Sequence, residues 1–208
     1  TALLDSLLVL SATGIALWLR PWRLIAPGRS PWPAFALWAT LPVLWSLGVD
    51  SATGPLPQIS GAVLLLMMAG WPLAVLGLAV VAVLLAAGSV LSIAQALHHL
   101  VWLGLLPATL ALVIGAAVRL WLPRQLFGYL LGRAFVGTWL ALLLPAWVAL
   151  ALQSVPDWQP MAVAQLLVAF GEASLTGSLV TLMVALRPAW LATYADRLYL
   201  RPGERAPA

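Results

Sequence analysis

Apolar positions run along this chain in long, almost unbroken stretches, with polar residues collected in short clusters between them. Residues 2–19 form the first stretch and stop at Arg20-Pro21; a second covers about 33–48 and ends at the turn-rich "VDSATGPLPQ" (49–58). From 58 to 118 the chain is apolar almost throughout. Further stretches cover about 126–152 and 161–186, separated by "QSVPDWQP" (153–160). About 20 apolar residues suffice to cross the hydrocarbon core of a bilayer, so the pattern predicts membrane-spanning helices rather than strands.

The distribution of charge divides the long middle stretch. Arg20, Arg23 and Arg29 fall in the first interhelical loop, Arg119 and Arg124 in a later one, and Arg187, Arg197, Arg201 and Arg205 in the tail. Loops rich in arginine stay on the cytoplasmic side, whereas the 49–58 and 153–160 loops carry Asp50 and Asp157 and no base. Between an outer loop at 49–58 and an inner one at 119–125 the number of crossings must be odd. One helix cannot absorb that length, so three are expected, with Gly70-Trp71-Pro72 and Gly88-Ser89 as turns: about 59–70, 71–87 and 95–118. The expectation is an all-α polytopic membrane protein of about seven helices, N-terminus outside and C-terminus inside, in the inner (plasma) membrane. Residues 1–188 would be the transmembrane bundle and 189–208 a cytoplasmic amphipathic tail. Within that tail, Trp190, Tyr194 and Leu198 recur at helical spacing and predict a short surface helix over 188–202.

Composition agrees. Of 208 residues 63% are hydrophobic and 8% charged, with mean hydropathy +1.04, far below the quarter or so of charged residues in soluble domains. There is no cysteine, which excludes disulfides, thiolate metal sites and cysteine nucleophiles. All ten basic residues are arginines at predicted helix ends or near them, where topology explains them better than nucleic-acid binding does. No leader with a small-residue cleavage site is expected at the start. Most of the twelve tryptophans also lie near helix ends (Trp18, Trp22, Trp32, Trp121, Trp158, Trp190), as interfacial belts do.

The helix at 59–70 would rise only about 18 Å, against about 30 Å of hydrocarbon. A half-length helix is tolerated where the irregular backbone leading into it is buried or lines a cavity. "TGPLPQISG" is therefore expected to dip into the bundle, placing Gln58 and Ser60 inside it.

Few polar groups sit within the apolar stretches. Glu172, in "AFGEASLTGSLV", must face the interior, either as a structural group bonded to a neighbouring helix or as part of a binding site, because a carboxylate in hydrocarbon costs about 2.5–3.5 kcal/mol on insertion scales. His98 and His99 are the only histidines. On a helix they diverge by about 100°; they suit a metal, a proton relay, or simple bonding to a carbonyl and the interface. Arg133, near the cytoplasmic end of its helix, is expected to snorkel. No phosphate-binding loop, nucleophile elbow or zinc-protease motif is present, so no enzyme is expected.

The stretches "GPLPQISGAVLLLMMAGWPLAVL" (54–76), the loop into 95–118 and "AFGEASLTGSLV" resemble the membrane substrate-binding components of cobalt and nickel energy-coupling-factor transporters, the CbiM/NikM family. The resemblance implies seven helices with an outside N-terminus, a divalent metal as substrate, and partners consisting of a separate transmembrane coupling subunit and ATPase subunits. The ligands depart from the family pattern. No Met-His opens the chain, Gln58 stands where the family has a histidine before its short helix, and the asparagines at the head of its fifth helix give way to the region of His98 and His99. A shifted ligand set of His98, His99, Glu172 and Gln58 would suit Co²⁺, Ni²⁺, Zn²⁺ or Cu²⁺, with His99 expected as the inner ligand. The alternatives are a haem-binding protein, which two histidines on one helix fit poorly, and a non-transporting scaffold with the same fold.

Overall fold

The computed structural model describes residues 2–21, 32–47, 58–121, 125–153 and 158–195. Among them the chain forms seven helices: α1 (Ala2–Trp18), α2 (Trp32–Ser46), α3 (Ala62–Ala69), α4 (Trp71–Ala87), α5 (Ile93–Trp121), α6 (Gly128–Leu152) and α7 (Trp158–Leu186). Three of them, α5, α6 and α7, are long and apolar enough to cross a membrane; α1 and α4 are shorter apolar helices. The chain is a helical membrane protein. The polar loops around Asp50 and Asp157, the loop residues Arg23, Arg29 and Arg124, Trp22, and the tail from residue 196 lie outside the described residues.

The core is built around the shortest helix. α3 has eight residues and rises about 12 Å. Every residue from Ala62 to Met68 is buried, as a helix apolar on all sides requires. It packs against α2, α4, α5 and α7. Two glycines set its limits. Gly61, just before it, has φ +66, and Gly70, just after it, has φ +86, both in the region that residues with a Cβ avoid. At Gly61 an added Cβ would run into the Leu41 side chain of α2. Pro72 then opens α4, in the first turn, where its missing N–H costs nothing.

Tryptophans do two different jobs. Trp18, Trp32, Trp121 and Trp158 at helix ends are exposed, as the sequence predicts. Others stitch helices together through indole N–H donors: Trp38 donates to the Gly77 carbonyl at 2.8 Å, and fully buried Trp45 to the Ser60 carbonyl at 2.9 Å.

Two expectations need correction. Residues 188–195 do not form the start of a surface helix. Pro188–Trp190 make a single 3₁₀ turn, after which the backbone turns in beneath α3. The Met67 carbonyl accepts the Ala192 N–H at 2.8 Å and the Thr193 N–H at 3.3 Å, and Leu191 and Tyr194 are buried. The orphan carbonyls at the end of a short buried helix must be satisfied from within the protein, and this segment does it. Arg133 does not snorkel either. It is 6% exposed, with its guanidinium against the Cα of Gly115 on α5, where even a methyl group would lie 2.8 Å from Nε.

Candidate functional site

The site begins with a proline. Pro107 in α5 has no N–H to give the Leu103 carbonyl four residues earlier, and its ring crowds that turn. The helix widens there: Leu100–Leu105 is π-helical, with the Leu106 N–H reaching back five residues to Val101. Wide turns of this kind often mark functional sites. The Leu103 carbonyl is taken instead by the Ser60 hydroxyl, which donates to it at 2.5 Å. Ser60 thereby pins the irregular lead-in of α3 against α5. Its carbonyl accepts the Trp45 indole N–H, and its Oγ accepts the Ala62 N–H at 3.1 Å.

Glu172 completes this anchor from α7. Its Oε2 accepts the Ser60 N–H and its Oε1 the Gly61 N–H, both at 2.7 Å. The carboxylate thus closes the amino end of α3, where orphan N–H groups and the positive end of the helix dipole favour an anion. Gly61, in its left-handed conformation, brings the two amides round to one carboxylate.

Beside this clamp lies a cavity of about 430 Å³. Its polar lining consists of Gln58 and Ser60 from the lead-in, His98 and His99 from α5, and Gln165 and Glu172 from α7; Trp102 and the α6 residues around Ala146 supply apolar wall. All four residues singled out in the sequence, Gln58, His98, His99 and Glu172, therefore border one space. They are not gathered into a single cluster: among the described residues no three His, Cys, Asp or Glu side chains are grouped to hold a metal ion. The volume has room for roughly a dozen waters at about 30 Å³ each.

Both imidazoles are oriented by an acceptor at Nδ1. His99 Nδ1 lies 3.0 Å from the Gln95 carbonyl of the preceding turn, and His98 Nδ1 lies 3.2 Å from Asp5 Oδ2 on α1. A carbonyl only accepts, so Nδ1 of His99 donates to Gln95; the His98–Asp5 contact has the same form when Nδ1 donates, and in either neutral ring Nε2 then keeps its lone pair. His98 also stacks obliquely on Trp102, ring centroids 5.9 Å apart. The Gln58 amide donates to the Leu47 carbonyl at 3.0 Å, which leaves its oxygen as the acceptor.

Sequence reasoning passed over two polar residues. Gln165 stands seven residues before Glu172, two helical turns away and so on the same face; that spacing is visible in the sequence. Asp5, 3% exposed in the first turn of α1, is a buried acid within an apolar stretch. The acid itself was legible, but its pairing across 93 residues with His98 was not.

The Asp5–His98 contact puts the amino end of α1 at the cavity end of the bundle, so Arg20 lies at the other end, as do Arg119 and Arg187 at the ends of α5 and α7. The cavity end also holds the carboxyl ends of α2 and α6 and the amino end of α7. Comparison of the chain with family models, curated proteins and solved structures gives no match.

Proposed function

We propose that this chain is the substrate-binding membrane subunit of an energy-coupling-factor-type transporter for a divalent transition-metal ion. The observation that carries the reading is the pair of imidazoles on the cavity wall, each with Nδ1 within hydrogen-bond distance of an acceptor, an arrangement that in the neutral Nδ1–H ring leaves Nε2 as an electron-pair donor. Metal-binding histidines are held in this way, the second ring nitrogen donating to a carboxylate or carbonyl that fixes the tautomer. The Gln58 oxygen and the outer lone pairs of Glu172 border the same space. Imidazole nitrogen with oxygen donors suits Co²⁺, Ni²⁺, Zn²⁺ or Cu²⁺, and the volume leaves room for an ion that keeps part of its water shell.

In this reading the chain crosses the inner membrane seven times, N-terminus outside and C-terminus inside. The cavity faces the outer side, away from Arg20, Arg119 and Arg187. No ATP-binding motif lies in the chain, so a coupling subunit and ATPases supply the energy.

Titrating Co²⁺, Ni²⁺, Zn²⁺ and Cu²⁺ into purified, metal-free protein tests the proposal, with the His98→Ala/His99→Ala double variant alongside. At least one ion should bind the parent more tightly than the variant. If none does, the metal reading fails.

A further inference from the structure

Asp5 has no part in the resemblance and no place in the clamp. Its side chain is 4% exposed, and among the described residues its hydrogen-bond partner is His98 Nδ1 at 3.2 Å. A carboxylate in an apolar shell needs compensation. The amino-terminal position in α1 provides some through the helix dipole, and the imidazole N–H provides a directed bond. Among the described residues, the partner of the neighbouring His99 is a carbonyl of its own helix. The two histidines are therefore not equivalent. One meets a carboxyl group on a second helix, the other a carbonyl of its own helix.

We propose that Asp5 is the positioning residue for His98, fixing its Nδ1–H tautomer and presenting Nε2 as the principal donor to whatever cation occupies the cavity. The functional consequence rests on the metal reading above; the tautomer itself does not. A carboxylate acceptor polarises the ring more strongly than a carbonyl, so Nε2 of His98 is the stronger electron-pair donor of the two. The order of importance is then the reverse of the one that depth in the span predicts: His98 contributes more than His99. Because Asp5 belongs to α1, the same contact makes the geometry of the donor depend on how α1 sits against α5.

The experiment uses the whole chain in lipid nanodiscs with ¹⁵N-labelled histidine. With only two histidines, a His99→Gln variant leaves the His98 ring as the one signal set. Long-range ¹⁵N–¹H correlation spectra of the neutral, metal-free ring should show the Nδ1–H tautomer in the parent. Asp5→Asn, which keeps a carbonyl oxygen, should retain that tautomer, and Asp5→Leu should shift the ring towards Nε2–H. In a second arm Ni²⁺ affinity is measured by calorimetry. Asp5→Leu should weaken binding by about 10- to 100-fold when His98 is present, and should have no further effect in a His98→Ala background. Asp5→Asn should fall between.

An Nε2–H tautomer in the parent, or a tautomer indifferent to Asp5→Leu, overturns the proposal. So does an equal loss of affinity with and without His98, which would mean that Asp5 acts through the fold. If the parent binds no Ni²⁺, the affinity arm uses whichever of Co²⁺, Zn²⁺ and Cu²⁺ it binds; if it binds none of the four, the metal reading fails, and the tautomer arm still decides whether Asp5 orients His98.

Discussion

Replacing Glu172 by leucine should loosen the amino end of α3 far more than the loss of one polar side chain would imply. The substitution removes both acceptors of the Ser60 and Gly61 amides, which lie at 2.7 Å from the carboxylate in a buried position. A buried donor left without a partner costs about 1–3 kcal/mol, so the two together cost about 2–6 kcal/mol. Against this stands the relief of no longer burying a carboxylate, about 2.5–3.5 kcal/mol on insertion scales. That relief applies to any state in which α7 is inserted, whereas the stranded amides are specific to the folded lead-in. The penalty therefore falls on local opening of residues 60–64 rather than on insertion. At about 1.4 kcal/mol per factor of ten, amide exchange there should accelerate at least about 30-fold, with α5 and α7 little changed. Glu172→Gln offers one oxygen and turns an NH₂ group towards the second N–H, so it should give roughly half the free-energy change. Hydrogen exchange followed by mass spectrometry on nanodisc-embedded protein reads the effect. Parental protection over residues 60–64 in the leucine variant would refute the clamp.

Three further outcomes follow from the same geometry. Gly61→Ala should be destabilising, by about 1–2 kcal/mol for the left-handed backbone alone and more from contact with Leu41; thermal melts should show partial recovery with Leu41→Ala, and no recovery would mean that the contact is not the cause. Truncation after Arg187 should raise exchange at the carboxyl end of α3, because it removes the Ala192 and Thr193 donors to Met67 and the buried Leu191 and Tyr194; unchanged exchange would show the segment to be dispensable. Gly115→Ala should cost about 1–3 kcal/mol as an overpacked site, since its methyl would meet the Arg133 guanidinium at 2.8–3.0 Å; a parental melting temperature would indicate that Arg133 moves aside freely.

The helices were legible in the chain's pattern alone. Apolar runs in a chain with 8% charge leave no other way to satisfy the backbone in lipid, and Pro, Gly and Arg punctuation placed the helix ends close to where they fall, the short α3 included. It also pointed to Gln58, His98, His99 and Glu172, because an ionisable or amide group inside an apolar run is conspicuous wherever its helix packs. What each group bonds to was decided only by tertiary structure. That Glu172 closes the lead-in of α3 depended on two amides more than a hundred residues away, and on a left-handed glycine that turns them towards it. The contact of Asp5 with His98 arose only when α1 met α5. The tail illustrates the reverse case. The spacing of Trp190 and Tyr194 was genuinely helical, yet the unpaired Met67 carbonyl at the end of a buried half-helix drew the backbone inwards. Periodicity reports a preference for one apolar face, and the burial of an unsatisfied carbonyl outweighs it.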